Sequence, residues 1–246
     1  MFLQERKLFY IMLPVLGFLT KIVAEFIHEV LGHGLFVLLL GGEIADLRIS
    51  VLWPYEFSHI RWFWPDAVSP VQQAWAYAGG ILVCLAVSFL IQAFLIVKRK
   101  LRWHYSLMFF WLAFWTFISS AGYLLIGGFA PFGDVYNLIE LGVLTRHSSF
   151  LIGIVVFIIG FVALSLILRR TLTGFYSFRM GSLGVSVFWL IVPLLFIAVV
   201  ASPEHILQTM YLPLAFLPSL LSFIMEFKLV LRKQKANAAP DNVSSK

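Results

Sequence analysis

The amino-acid sequence predicts an all-α, polytopic membrane protein with about six transmembrane helices. Of its 246 residues, 61% are hydrophobic and only 12% are charged. Soluble domains carry roughly 45–50% apolar and about 25% charged residues, so this chain has too little polar surface to coat a water-soluble globule. The apolar residues also fall into runs long enough to span a membrane.

Six apolar runs are the candidate spans, since a spanning helix needs about 20 consecutive apolar residues. They are Leu8–Leu40, Ala74–Val97, Leu107–Gly128, Ser149–Leu168, Gly184–Ala201 and Ile206–Glu226. Within the first run, Leu8–Thr20 could also be an interfacial segment or a short span of its own. A separate crossing there would place the first basic residues of the chain on the opposite side of the membrane from most other basic residues. We therefore expect one net crossing before residue 41.

The basic residues predict the orientation of these spans. With six crossings, most Lys and Arg residues lie on the same side as the N-terminus, and the positive-inside rule identifies this side as the cytoplasm. We therefore expect both termini to be cytoplasmic. This topology explains the net charge of +6 without a nucleic-acid partner. Residues 1–232 are expected to form a single domain embedded in the lipid bilayer, and residues 233–246 a polar, disordered cytoplasmic tail.

Two stretches between the spans are not expected to cross the membrane as helices. Gly41–Gln72 begins with a weak alternation of apolar and polar residues, which favours a short β-strand, hairpin or re-entrant segment after the first span. Gly127–Leu144, before the fourth span, contains three glycines and Pro131 ahead of Asp134. This composition predicts broken backbone, which is tolerated near membrane depth only inside protein or beside a wet cavity.

The first span carries a stripe of ionisable residues in an otherwise apolar setting. At about 100° per residue, Lys21, Glu25, His28, Glu29 and His33 lie on one helix face. Such a stripe is costly inside a membrane unless it faces a partner, a cavity or a metal. One interpretation is a buried network of ion pairs and hydrogen bonds between helices. Glu25 could support a histidine or pair with Lys21 at i−4, and we favour the pair.

A metal site is the other interpretation of this stripe. Catalytic zinc is bound by three protein ligands, and a nearby Glu can take a proton from water. The usual helical motif spaces its histidines at i and i+4, whereas His28 and His33 are five apart, about 140° around a regular α-helix. Either a π-bulge brings them to one face, or the helix ends at Gly32 and His33 turns back.

The order of these motifs resembles the site-2 family of intramembrane zinc metalloproteases, especially its small members. The sequence His28-Glu29-Val-Leu-Gly-His33-Gly is similar to the family's His-Glu-x-Gly-His-Ala pattern, with one residue more. Ala130-Pro-Phe-Gly-Asp134 resembles the Pro- and Gly-rich segment that supplies the third metal ligand, although the family's Asp-Gly is here Gly-Asp.

Two further segments match the family in order along the chain. Gly41–Ser50 is similar to the short β-structure that follows the metal helix, and Ala78–Gly80 is similar to an Ala-Gly-Pro segment near the start of the next span. The likeness covers roughly Glu25–Glu140, within a metalloprotease-like core at about residues 22–168.

The resemblance implies that His28, His33 and Asp134 bind Zn²⁺ and that Glu29 is the general base. The implied function is zinc-dependent hydrolysis of a peptide bond in a membrane-spanning protein substrate. From its position alone, Asp134 could instead cap a helix that begins at Val135. Two other functions stay open: a non-catalytic transporter-like or helix-binding protein on the same scaffold, and a zinc hydrolase of a lipid amide or ester.

Overall fold

The computed structural model describes residues 2–98, 100–203 and 207–238, and these residues form a mostly helical protein. Six helices are long and apolar enough to cross a membrane, which confirms the predicted multi-pass class. We number them spans 1 to 6 in chain order: Gln4–Leu39, Pro70–Val97, Trp103–Phe129, Arg146–Thr173, Phe178–Val200 and Thr209–Ala236.

Span 1 is one continuous helical run, so Leu8–Thr20 is not a separate segment. An α-helix, Phe2–Phe26, continues as a π-helix, Ile27–Gly34, and returns to α-helix at Leu35–Leu39. At about 1.5 Å per residue, 36 residues extend over about 54 Å. Because the hydrocarbon core is only about 30 Å thick, this helix must tilt or project beyond it.

A two-stranded antiparallel sheet follows span 1, where the sequence predicted β-structure. Its strands are β1, Glu43–Arg48, and β2, His59–Phe63. Ile60 of β2 is buried beside Gly34, so β2 rests on the π segment of span 1. Each strand has a single neighbour in the sheet, and its other edge therefore keeps unpaired backbone groups.

Spans 2 and 4 begin at capping boxes. The Ser69 hydroxyl accepts a hydrogen bond from the Gln72 amide, and the Gln72 side chain accepts one from the Ser69 amide. Thr145 and Ser148 form the same reciprocal pair at the start of span 4. These pairs satisfy amides that a helix leaves without partners, and they determine where both spans begin.

Span 3 contains a second π segment. Its parts are the α-helix Trp103–Phe117, the π-helix Ile118–Gly122 and the α-helix Tyr123–Phe129. The chain is non-helical at residues 130–132, and a short helix, Gly133–Glu140, then leads towards span 4. The break is shorter than the sequence suggested, because Gly127 and Gly128 are helical.

The last two spans are less regular than the others. Span 5 consists of Phe178–Phe188 and Ile191–Val200, and span 6 of the 3₁₀ turn Thr209–Tyr211 and the helices Leu212–Ala215 and Leu217–Ala238. The last helix includes residues 233–238, which differs from the disorder expected for the whole tail. Residues 239–246 and the predicted start of span 6 at Ile206 lie outside the described residues.

An aromatic core joins spans 1, 3, 4 and 5. Phe9, Phe114, Phe117 and Trp189 are almost fully buried in it, and the Trp115 indole donates to the Gly17 carbonyl at 2.7 Å. Large apolar side chains are exposed along the outer faces of the spans. Such a surface suits contact with lipid, which offers no hydrogen bonds.

A buried ion pair attaches span 6 to span 4. Nη1 of Arg169 donates to both carboxylate oxygens of Glu226 at 2.9 Å, and only 2% of the Glu226 side chain is exposed. Because each charge is removed from solvent, each depends on the other for compensation.

Replacing Glu226 by Ala is expected to destabilise the protein by about 3–5 kcal/mol, because it leaves the Arg169 guanidinium buried without its counter-charge. Thermal unfolding of the purified protein in detergent measures this. Glu56→Ala, which removes the partner of the exposed Arg48, is the control and should cost about 0–1 kcal/mol. Equal shifts in both variants would contradict the assigned role of the buried pair.

Candidate metal centre

The side chains of His28, His33 and Asp134 converge on one point. The Nε2 atoms of His28 and His33 are 3.2 Å apart, and each lies 3.3 Å from Oδ2 of Asp134. His28 and His33 are only 6% and 3% exposed. The structure thus brings together all three residues that the sequence suggested as ligands, in a group that could hold a metal ion.

The π segment of span 1 explains how residues five apart share a face. The Leu35 amide donates to the Val30 carbonyl, five residues earlier, so the helical turn is one residue wider than in an α-helix. His28 and His33 therefore project to the same side. The sequence left two alternatives open, a π-bulge or a helix end at Gly32. The structure contains the π conformation, and the helix continues past Gly32 to Leu39.

The distances among the three donor atoms fit tetrahedral coordination. In a regular tetrahedron with metal–ligand bonds of about 2.0–2.1 Å, the ligand atoms lie about 3.3–3.4 Å apart. The observed separations of 3.2, 3.3 and 3.3 Å form such a triangle. An ion bound to it would keep a fourth position for water or substrate.

Each histidine uses its other ring nitrogen to contact span 2. Nδ1 of His33 lies 2.7 Å from the Ala76 carbonyl oxygen, and Nδ1 of His28 lies 3.7 Å from Sγ of Cys84. Since a carbonyl oxygen can only accept, the His33 proton belongs on Nδ1. With Nδ1 protonated in both rings, both Nε2 atoms present a lone pair to the metal position.

A hydrogen-bond network without a metal explains the positions of these three side chains less well than a metal site does. Charge-assisted N–H···O bonds are typically about 2.7–2.9 Å long, shorter than the two contacts of 3.3 Å to Asp134. Oδ2 of Asp134 is buried and has no hydrogen-bond partner among the residues that the structure describes. A cation would satisfy all three converging atoms at once.

Asp134 is positioned by a short helix rather than serving as its cap. The helix begins at Gly133, with Phe132 at the N-cap, so Asp134 lies inside the first turn. Burial favours the neutral acid, but protonated His33 and His28 imidazoles facing it more than offset this and hold the pKa of the Asp134 carboxyl below its usual range. A bound cation would replace those protons as the partner of the carboxylate.

Two glycines of span 2 form the wall of the site. A Cβ on Gly80 would lie 2.5 Å from Nε2 of His33 and 2.7 Å from Cε1 of His28. A Cβ on Gly79 would lie 2.5 Å from the carbonyl oxygen of Gly32. Only glycine permits spans 1 and 2 to approach so closely. This steric requirement explains the two glycines of the Ala78–Gly80 segment.

The remaining charged residues of the stripe lie next to the ligands. Glu29 is 7% exposed and close enough to interact electrostatically with His28, His33 and Asp134. Lys21 forms the expected ion pair with Glu25. Its ammonium also lies 4.9 Å from the ring centre of Trp53, a cation–π contact that adds to the compensation of this charge.

A cavity of about 580 Å³ extends from the site between spans 1, 3, 4, 5 and 6. His28 and Glu29 line one end of it, and the walls contributed by spans 4 to 6 are almost entirely apolar. Its volume lies within the range of about 300–1,000 Å³ that is usual for ligand pockets. The cavity therefore connects Glu29 with an apolar space large enough for a ligand.

Three neighbours of the ligands were not identified from the sequence. The Trp62 ring stacks on His33 at 5.8 Å, the Tyr123 ring packs on His28 at 5.7 Å, and Cys84 contacts His28 as described. A signal existed only for Cys84, because Ala76, Gly80 and Cys84 recur every four residues and so share one face of span 2.

Comparisons of the chain with protein-family models, with curated proteins and with solved structures give no match. The functional argument therefore depends on the geometry of the site.

Replacing Asp134 by Ala is expected to lower bound metal from about one ion per chain to near zero, because only two ligands then remain. Elemental analysis of the purified, metal-loaded protein measures this. Asp46→Ala, which removes an exposed carboxylate paired with His59 on the hairpin, is the matched control and should keep the metal. Full metal occupancy in Asp134→Ala would exclude the assigned ligand role.

Replacing Gly80 by Ala is also expected to reduce metal binding, by at least about 10-fold, because the new methyl group displaces both imidazoles. The control is Gly122→Ala, where the nearest atom to the added Cβ is 3.9 Å away. Titration with Co²⁺ followed by visible absorption compares the two variants. Equal Co²⁺ affinity in both would show that span 2 does not confine the ligands.

Proposed function

We propose that this protein is an intramembrane zinc-dependent peptidase that hydrolyses a peptide bond in a membrane-spanning protein substrate. The observation that carries the proposal is the convergence of two imidazoles and one carboxylate beside the buried Glu29, at the end of a cavity. This donor set suits Zn²⁺ with one open coordination position. The motif order that resembles site-2 metalloproteases supports the same assignment.

The chemistry that we propose is addition of water to a carbonyl group. Bound zinc supplies a Lewis acid that lowers the pKa of water and polarises the carbonyl oxygen. The Glu29 carboxylate accepts a proton from the attacking water as the new C–O bond forms. It then delivers this proton to the amide nitrogen as the C–N bond breaks, which yields a carboxylic acid and an amine.

The hairpin is our candidate for holding the substrate in an extended form. A helical substrate must unwind locally before its carbonyl can be attacked, and the backbone groups that this exposes need new partners. The open edge of a two-stranded sheet can supply them by strand addition. Trp62 of β2 stacks on His33, which places this strand beside the metal ligands.

The proposal also specifies an arrangement in the membrane. We infer that all six spans cross the bilayer, that both termini are cytoplasmic, and that the hairpin and the non-helical residues 130–132 form re-entrant structure around the site. Ser58 and Ser119 line the cavity together with Glu29 and provide hydroxyl groups along a route for water. The lipid bilayer surrounds the outer faces of the spans.

One observation favours a second candidate, a zinc hydrolase of a lipid amide or ester. The cavity walls from spans 4 to 6 offer almost no polar groups, and an acyl chain requires none, whereas an unwound peptide brings one N–H and one C=O per residue. Mass spectrometry of the products separates the candidates, because a peptidase releases two peptide fragments and a lipid hydrolase releases a fatty acid.

Replacing Glu29 by Gln is expected to leave metal content unchanged and to lower hydrolysis by about 10²–10⁴-fold, because the amide cannot accept the proton from water. Cleavage of single-span test substrates in detergent, with elemental analysis of the same samples, measures both quantities. Glu25→Gln is the control: it makes the same change one turn earlier, in the residue paired with Lys21. Cleavage by Glu29→Gln at the wild-type rate would show that another group is the base.

A further inference from the structure

Tyr123, on span 3, packs beside the metal ligands. Among the residues that the structure describes, no hydrogen-bonding group pairs with its hydroxyl, although its ring is packed against His28 with 5.7 Å between the ring centres. Tyr123 lines the same cavity as His28 and Glu29. Tyr123 is half-buried, and a phenol hydroxyl that no group in this part of the chain engages is free to donate a hydrogen bond to a ligand in the cavity.

The backbone of span 3 is distorted immediately before this residue. The π segment Ile118–Gly122 ends at Tyr123, and the other π segment in the described part of the chain is the one that carries the histidines. A π segment rotates the residues after it relative to those before it. Without this extra residue per turn, Tyr123 would project in another direction and would not face His28.

The segment that carries Asp134 also makes room for the phenol. Gly133 has a φ of +51°, and a Cβ placed there would lie 2.9 Å from Cε1 and 3.7 Å from the hydroxyl oxygen of Tyr123. The absence of a side chain therefore lets the Tyr123 ring lie against the residue that directly precedes a ligand. The hydroxyl is close enough to interact electrostatically with Asp134 and Glu29.

We propose that Tyr123 is a catalytic residue whose hydroxyl donates a hydrogen bond to the carbonyl oxygen of the substrate as negative charge develops on it. This inference rests on the proposed hydrolase function and adds a donor that the sequence did not suggest. A donor fixed in advance by ring packing against His28 and Phe132 needs no reorganisation when the charge appears.

The role is consistent with the proton balance of the reaction. When the water oxygen bonds to the carbonyl carbon, the π electrons of the carbonyl move to its oxygen and one water proton moves to Glu29. Tyr123 keeps its own proton throughout and only shares it with the oxyanion. As the C–N bond breaks, the carbonyl re-forms and the proton on Glu29 moves to the leaving amine.

The test uses the full chain in detergent, loaded with Co²⁺, and acetohydroxamate as the probe. The hydroxamate binds a metal through its oxygens and places an oxyanion where the reacting carbonyl oxygen would lie. Visible absorption of Co²⁺ reports both metal affinity and hydroxamate affinity. Tyr123→Phe removes only the hydroxyl, and Tyr77→Phe is the matched control, because Tyr77 packs on Trp62 near the ligands but does not line the cavity.

We expect Tyr123→Phe to bind Co²⁺ as the wild type does and hydroxamate about 10-fold more weakly, with Tyr77→Phe unchanged in both. Wild-type hydroxamate affinity in Tyr123→Phe would overturn the inference. Loss of Co²⁺ from Tyr123→Phe would overturn it as well, because the phenol would then support His28 rather than contact the substrate. Absence of Co²⁺ binding in the wild-type protein would instead remove the metal centre and with it the proposed function.

Discussion

The site depends on one feature of backbone hydrogen bonding, the i→i+5 pattern of the Ile27–Gly34 segment. In a regular α-helix, His28 and His33 would point in directions about 140° apart and could not reach one ion. The wider turn brings their Nε2 atoms within 3.2 Å of each other. Asp134 and span 2 complete the site by contacting these two imidazoles.

Span 2 is the element that keeps the two imidazoles in place. Three small residues on one of its faces serve different purposes: the Ala76 carbonyl accepts from His33, Gly80 leaves space for both rings, and the Cys84 thiol contacts His28. Small residues allow helices to approach closely in membranes, where packing rather than the hydrophobic effect holds helices together. Here the same close approach also orients side chains of the neighbouring helix.

The features that depend on local composition could be predicted from the sequence. Apolar runs identify the six spans, and the ionisable stripe identifies the face of span 1 that carries His28 and Glu29. The choice between a π-bulge and a helix end at Gly32 depends on contact with Gly79 and Gly80, which are distant in the sequence, so local pattern leaves it open. Tyr123 gives no sequence signal, because its importance arises only from the bulge before it and from the space at Gly133.

The length of span 1 has a consequence for where a bond would be cut. His28 precedes Leu39, the last residue of span 1, by eleven residues, which is about 16 Å along the helix and so roughly half the thickness of a hydrocarbon core of about 30 Å. If the proposed peptidase cut a single-span substrate halfway through the core, the substrate would be divided into two apolar stubs of about ten residues. Neither stub is long enough to remain inserted, since about 17 residues are the minimum, so one cut frees both halves from their anchorage.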